Sequence, residues 1–539
     1  MTEQQISKVY LLDVPLENDY QNTLYFTSKE DQQAYFQSRV KHSFTDFSYQ
    51  RKDSYIRVSL TFDDAYKINY VMYQNPKYSN KWFYAFVTDV KFENDEVSTI
   101  YIETDVIQTW LFDYNVKASF VEREHVSNDT VGRHTTPEKV EMGEYISNGH
   151  DYDTTLKAAA NDLRYILSLT FDYNTIDDPT LLKFPGGKYN GIFSGAKYYG
   201  MDSVGEVGIW LNSIDRAGKG DGVVGLFMAP KYLAPRETTE DNVTLWDIKE
   251  SNTSINHVTA FPGENNLNGY TPKNKKLLTF PYRYLLASNN NGGAAIYHYE
   301  KWGVNDGSSH FIVRSALTPG CSIRLIPTNY NGADVNDEEG LNLGKFPICS
   351  WATDMYTNWL TQNSVNIATN IISGGIQTIG GAVMMGTGAG AGIGALSMAS
   401  GLNSIASALG TVHQHSFQPP QARGNLNAGD VISSSGDNTF HFYRMSIKKE
   451  YAKIIDDFFT MFGYQVNRVK VPNKAHRSRW WYTKTLNVNI DGAIPNKDMQ
   501  KIKDCYNNGI TFWRNPSEIQ DYSLSNGINA TAGAVTDID

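Results

Sequence analysis

Residues 81–112 read KWFYAFVTDVKFENDEVSTIYIETDVIQTWLF. Aromatic and β-branched residues crowd both sides of the polar corner Glu93-Asn94-Asp95-Glu96, which is the composition of a β-hairpin turning at that corner. The period of an extended chain predicts Phe86, Val90 and Phe92 on one face of the first arm, with Val87 and Asp89 on the other. The preceding runs SYIRVSLTF (54–62) and INYVMYQ (68–74) have the same character and extend the hairpin into a sheet.

The rest of the chain supports a mainly β fold with some helix. Its 539 residues exceed what one small core serves, and 34 Tyr, 25 Phe and 10 Trp favour strands. Between about Asp153 and Lys345, glycine, asparagine and proline punctuate the short apolar runs LRYILSLTF, VGEVGIWL, VVGLFMA and HFIVRSAL, the rhythm of a second β-rich region. Two helices are expected near the C-terminus. In MSIKKEYAKIIDDFFTMFG, Ile447, Tyr451, Ile454, Ile455, Phe458 and Phe462 recur at helical spacing before a capping Gly463. In NKDMQKIKDCYNNG, Met499, Ile502 and Tyr506 share one side before Gly509. The final NGINATAGAVTDID reads as a frayed tail.

A net charge of −10 argues against a protein whose task is gripping nucleic acid, since phosphate binding needs clustered Lys and Arg. The N-terminus shows no basic stretch followed by an apolar one, so synthesis in a cytoplasm is expected. Cys321, Cys349 and Cys505 lie far apart without a CxxC pair; they are expected to be buried thiols. GxSxG, HExxH and paired CxxC motifs do not occur, and no catalytic residue, metal ligand or cofactor is assigned. DVNDEEG (334–340) has its glycine one place late for a calcium loop and reads as a solvated acidic turn. His413 and His415 read as polar loop residues. NRVKVPNKAHRSRWWYTK (467–484) mixes basic and aromatic residues in a way that suits base stacking. Within an acidic chain it reads instead as strands at a subunit interface with an aromatic inner face.

The chain carries no Asp, Glu, Lys or Arg from Met355 to Ala422. Within residues 371–410, 11 glycines each cost a helix roughly 1 kcal/mol relative to alanine, so a solitary helix in water is disfavoured. Strand is disfavoured as well, because glycine weakens pairing. Three readings remain open: a glycine-rich loop, a segment packed against copies of itself, and a membrane segment. Ala382, Gly386, Gly390 and Gly394 recur every four residues, an interval that lets helix backbones touch and drives association in lipid. Ile371, Ile376, Ile379, Val383, Met384, Met385, Ile393, Leu396 and Leu402 are the apolar residues expected to face lipid or the interior of a plug. The modest hydrophobicity of the segment suits one that is soluble first and enters a bilayer later. A GxGxxA pattern through Gly390, Gly392 and Ala395 lacks both a preceding strand and a following acid, which sets nucleotide binding aside.

Several stretches in order resemble the tail knob proteins, also called distal or lower tail tube proteins, of phi29-like short-tailed bacteriophages. The N-terminal ones are VPLENDYQNTLYFTS, KWFYAFVTDVKF, ETDVIQTWLFD and SFVEREHV. The C-terminal ones are KKEYAKIIDDFFTMFGYQVNRVKVPN and DMQKIKDCYNNGITFW, while the middle, about 127–354, is unmatched. The resemblance implies a non-enzymatic virion protein, a ring-shaped homo-hexamer forming a mainly β tube at the distal end of the tail, through which the genome leaves. It also implies a long apolar loop that plugs the tube and penetrates the host cell membrane. The implied partners are the adjoining proximal tail tube or lower collar protein, other tail proteins, the host membrane, and viral DNA in transit without specific binding. On this reading residues 1–152 and 431–520 form the tube wall and 153–354 a β-rich middle region. Residues 355–430 are then the plug loop with its flexible exit, and 521–539 a tail. An acidic lumen that does not hold DNA phosphates accounts for the net charge. Two other readings stay open: a pore-forming or fusion protein unrelated to phage, and a tail-associated cell-wall or glycan hydrolase with its site in the middle region.

Overall fold

The computed structural model describes residues 6–171, 188–190, 197–233, 245–246, 263–302, 310–316, 322–343, 346, 348–351 and 436–529, except 48, 77 and 80. The fold is mainly β and divides into two compact units. The first is Met1–Met142 with Pro272–Leu277 and Glu450–Asp539; the second is Gly143–Thr271 with Leu278–Lys449.

The hairpin predicted at residues 81–112 is the centre of a six-stranded antiparallel sheet in the first unit. Its strand order is Val40–Phe47, Ser7–Leu12, Tyr70–Gln74, Trp82–Asn94, Val97–Thr104, Tyr55–Val58. Asn94 pairs with Val97, leaving Asp95 and Glu96 as the two-residue turn. A bulge between Val87 and Asp89 changes the expected faces. Phe86 opposes Glu103, whereas Val87, Val90 and Phe92 oppose Ile102, Ile100 and Ser98, so Phe86 faces away from Val90 and Phe92. A single unpaired residue switches every later side chain to the other face.

A second sheet in this unit joins the two ends of the chain. Asn22–Leu24 pairs in parallel with Ile510–Trp513, followed in order by Trp480–Leu486, Ser119–Glu124 and Tyr464–Lys470. Both sheets contribute to one aromatic core. Trp480 and Trp513 are fully buried with ring centroids 4.8 Å apart, Trp481 stacks on Phe512 at 5.5 Å, and Phe36 stacks on Tyr70 at 5.3 Å.

Both C-terminal helices are present, as Lys449–Phe462 and Asn496–Asn508. The first buries Ala452, Ile455, Asp456, Phe459 and Thr460, so its inward face is rotated from the expected one and Ile454 is exposed. Gly463 ends it at φ +67°, and a Cβ there would meet the Glu124 carbonyl at 2.1 Å. The second helix buries Ile502 and Tyr506 as predicted, together with Cys505, whose thiol burial pushes up to about 12. The start of the expected frayed tail is docked. Asn526 accepts from the Arg479 amide and donates to the Trp480 carbonyl, and the Asn529 amide donates to the His476 carbonyl.

In the second unit, Leu163–Leu169 and Val223–Pro230 lie inside a six-stranded sheet whose last strand is Ile348–Trp351. A four-stranded sheet runs Tyr145–Tyr152, His441–Ile447, Arg283–Ser288, Ala294–Tyr297. Phe311–Ala316 and Ser322–Tyr330 form a further antiparallel pair, and the three sheets share a core containing Phe227, Leu285, Phe311 and Phe442. The sequence reading grouped His441–Ile447 with the C-terminal wall; its backbone ladders to Tyr145–Tyr152 and Arg283–Ser288 place it here.

The run VGEVGIWL is helical rather than extended, within Val204–Arg216. Ser203 caps it by accepting from the Glu206 amide, and Val207, Trp210 and Ile214 are buried at helical spacing.

Candidate functional site

The uncharged segment, with its apolar residues Ile371, Ile376, Ile379, Val383, Met384, Met385, Ile393, Leu396 and Leu402 and its small-residue row Ala382, Gly386, Gly390 and Gly394, lies outside the described residues, as do His413 and His415. Its two roots are described, and both belong to the second unit. The chain departs after Ile348–Trp351, a sheet-edge strand that pairs with Val223–Pro230, and returns ahead of His441–Ile447, an interior strand.

The return point is fastened by polar contacts to the helix Thr154–Asn161, which Asp153 caps by accepting from the Leu156 amide at 2.8 Å. Asn161 Nδ2 donates to the Gly436 carbonyl at 2.9 Å, and Asn161 Oδ1 accepts from Asn438 Nδ2 at 2.8 Å. Lys157 Nζ and Asn290 Nδ2 donate to the two oxygens of Asp437 at 2.7 and 3.0 Å. Partial burial pushes the Asp437 carboxyl up, but those two donors outweigh it and hold it below the ordinary range. His441 Nε2 lies 3.2 Å from Asp437 Oδ2, and its Nδ1 is 2.8 Å from His150 Nε2. The two imidazoles lie parallel, their centroids 5.1 Å apart; burial holds His441 below the usual histidine value, partly offset by Asp437.

The first unit contains a second polar construction, which the sequence reading missed. Residues 272–277 come from the middle of the chain and are held by acids from both chain ends. Buried Asp456 accepts from the Lys273 amide at 2.7 Å and from Asn274 Nδ2 at 2.8 Å. Asp129 accepts from the Lys275 amide at 3.0 Å and from the Tyr464 hydroxyl at 2.6 Å. Glu138, its side chain wholly buried, receives Arg123, Lys276 Nζ at 2.6 Å and the Gln465 amide at 2.8 Å. Glu138 is therefore both ion-paired and hydrogen-bonded, and Asp456 is met by several amide donors, conditions under which a buried carboxylate is tolerated. The signal was Asp456, an acid at a core-facing position of a helix, where it requires donors from elsewhere.

His125 is the third buried titratable centre. Its Nδ1 accepts from the Tyr482 amide at 2.8 Å, so Nε2 carries the proton donated to the Thr460 carbonyl at 3.0 Å. Burial, reinforced by Arg477 and Arg123, pushes it down to about 3.

The basic and aromatic stretch 467–484 is not a base-stacking surface, nor do its tryptophans face another subunit. Trp480 and Trp481 lie in the core of their own unit. Lys470 pairs with Glu124 at 2.7 Å, Lys484 with Glu122 at 3.1 Å, Arg479 with Glu518, and Lys474 sits over Tyr25. The 334–340 turn is largely solvated, with Asp337 engaging Arg314 and Arg324. Among the described residues there is no group of three or more His, Cys, Asp or Glu able to hold a metal, and no helix long and apolar enough to cross a membrane.

Residues 243–527 match the family described as Bacillus phage phi29, Tail knob protein gp9, C-terminal domain, and residues 5–115 match the Caudoviral major tail protein N-terminus. The chain is 28% identical to Tail knob protein gp9 of Bacillus phage phi29, covering 96% of this chain and 97% of that protein. It is 26% identical to its counterpart in Bacillus phage B103, with the same coverage. The structure of the bacteriophage C1 tail knob protein, gp12, shares the fold with a TM-score of 0.56 at 16% identity, over 97% of this chain and 100% of that one.

Proposed function

The chain belongs to the tail knob protein family of phi29-like phages, and from that premise we propose that its copies form a hexameric distal tail tube through which the genome is ejected. The wall comes from both ends of the chain, which the parallel pairing of Asn22–Leu24 with Ile510–Trp513 holds together in one sheet. Residues 371–410 plug the tube and penetrate the host membrane on ejection. Ile371, Ile376, Ile379, Val383, Met384, Met385, Ile393, Leu396 and Leu402 meet lipid or the plug interior, and Ala382, Gly386, Gly390 and Gly394 form the close helix contacts.

The observation that carries this reading is the family match over 243–527, which spans the stretch from Met355 to Ala422 that has no Asp, Glu, Lys or Arg. The return root adds support, since a segment that leaves and re-enters a fold without unravelling it needs a fastened re-entry point, here the Asn161, Lys157 and Asn290 contacts to residues 436–438. The tube assembles in the host cytoplasm and joins the proximal tail tube protein. DNA passes an acidic lumen without specific binding.

Dye release from liposomes tests the membrane role, with the intact protein, a deletion of 371–410 and the segment as a peptide, each with and without acidification. Leakage by the peptide and by triggered intact protein, lost on deletion, is the expected result. No leakage from any form reduces the segment to a passive plug.

A further inference from the structure

Two strands of the second unit are tied by a histidine pair at the return root. Tyr145–Tyr152 is an edge strand whose one neighbour in the sheet is His441–Ile447, whereas His441–Ile447 is paired on both sides. Tyr152 lies opposite His441 and His150 opposite Tyr443, so the four rings share one face. His150 stacks on Tyr443 at 4.7 Å, and Tyr152 is 5.7 Å from His441.

The 2.8 Å between His150 Nε2 and His441 Nδ1 is about what the 5.1 Å between centroids leaves once the two ring radii are taken off, so the nitrogens face each other in the plane of both rings. That is hydrogen-bond geometry, and it requires a proton on one nitrogen and a lone pair on the other. Asp437 Oδ2, 3.2 Å from His441 Nε2, favours a proton there and leaves Nδ1 as the acceptor of the His150 N–H. Lys157 reaches Asp437 from the helix Thr154–Asn161, and the Asn290 amide and Ser288, opposite His441 on the third strand, are neutral. Asp151 and Arg444 pair with each other on the opposite face of the two strands.

A first proton, taken by His150 at Nδ1, leaves this contact intact. A second, at His441 Nδ1, turns the acceptor into a donor and sets two positively charged rings N–H to N–H. Asp437 holds His441 from its other side, so His150 is the ring that gives way.

We infer that the His150–His441 contact is an acid-labile latch, whose double protonation frees the end of the edge strand, His150–Tyr152, from the return strand. The bulge between Ser147 and His150 interrupts the ladder and isolates that end. Asp153, the next residue, caps the helix whose Lys157 and Asn161 hold residues 436–438, so the opening passes to the point where the chain re-enters the unit. Because burial holds His441 below its usual value, the latch is whole at pH 7 and is lost as pH falls below about 6.5. The use of an acid-labile re-entry point rests on the membrane role proposed above.

Hydrogen exchange of the full-length protein, expressed as protection factors at pH 7.5 and pH 5 so that the intrinsic pH dependence is removed, tests the latch. Protection of residues 150–161 and 436–441 is expected to fall about tenfold or more in acid, while Leu163–Leu169 in the neighbouring sheet keeps its own. His150→Gln offers His441 either a donor or an acceptor without titrating, and is expected to hold equal protection at both pH values. His150→Ala is expected to lose it already at pH 7.5. Wild-type protection that is the same at both pH values, a fall in His150→Gln as large as in wild type, or a loss shared by Leu163–Leu169 overturns the latch. Failure of the membrane reading shows separately, as absence of dye release by the 371–410 peptide, which does not contain the histidine pair.

Discussion

The two units manage their polar groups differently. In the first, charges lie deep and are fully engaged: Glu138 and Asp456 sit among donors from residues 272–277, and His125 is neutral between two backbone groups. In the second, the polar contacts at the return root are half-exposed, with the Lys157 and Asp437 side chains 34% and 30% accessible. Buried, satisfied networks lock one arrangement because leaving any member unpaired is costly, whereas exposed contacts exchange with water at little cost. The proposed function, with the first unit as tube wall and the second as root of a moving segment, would call for this difference.

The contrast can be broken experimentally, beginning where the effect is largest. Trp513→Ala removes a fully buried ring packed on Trp480 and Tyr522, and should cost the first unit about 3–5 kcal/mol in chemical denaturation. A much smaller loss would mean that the aromatic core is not what holds that unit together. Glu138→Gln leaves Arg123 and Lys276 without their shared carboxylate and should cost about 3 kcal/mol, with faster proteolysis near residues 272–277. Cleavage rates equal to wild type would show that the strap is held by other contacts.

Acid sharpens the comparison further. His125 has its folded value pushed down to about 3, so the unfolded chain binds the extra proton first. The stability it contributes is present above the unfolded value of about 6.5 and is lost as pH falls toward 3, by about 1.4 kcal/mol per pH unit. Urea midpoints between pH 7 and pH 5 should fall accordingly, and His125→Gln should flatten that slope. The smallest effect belongs to the second unit. Lys157→Ala should cost less than about 1 kcal/mol globally while raising hydrogen exchange at residues 436–438. A large global loss there would erase the distinction between the two regions.

Much of the fold was legible because its signals are local. The 81–112 hairpin, the strands at 55–58 and 70–74, and the helix ending at Gly509 follow from alternation, turn residues and capping, each confined to a few neighbours in sequence. Reading failed where a distant partner decided the outcome. The bulge that turns Phe86 away from Phe92 is set by pairing with 97–104, and the inward face of Lys449–Phe462 by what it packs against. VGEVGIWL was misread because its glycines resembled loop punctuation; the Ser203 and Glu206 cap was the overlooked local cue. For the candidate site, composition alone singled out 371–410, while the fastening of its return root by Lys157, Asn161 and Asn290 had no local trace.

By itself the sequence determined the mainly β character, the charge-free segment and the family, since all three rest on composition, short-range pattern and the order of motifs. Tertiary structure alone decided that 272–277 belongs with the chain ends, that 441–447 belongs with the middle, and that Trp480 and Trp481 point inward. Those outcomes depend on which buried donor meets which buried acceptor across hundreds of residues, a matching condition imposed by desolvation that leaves no periodicity along the chain.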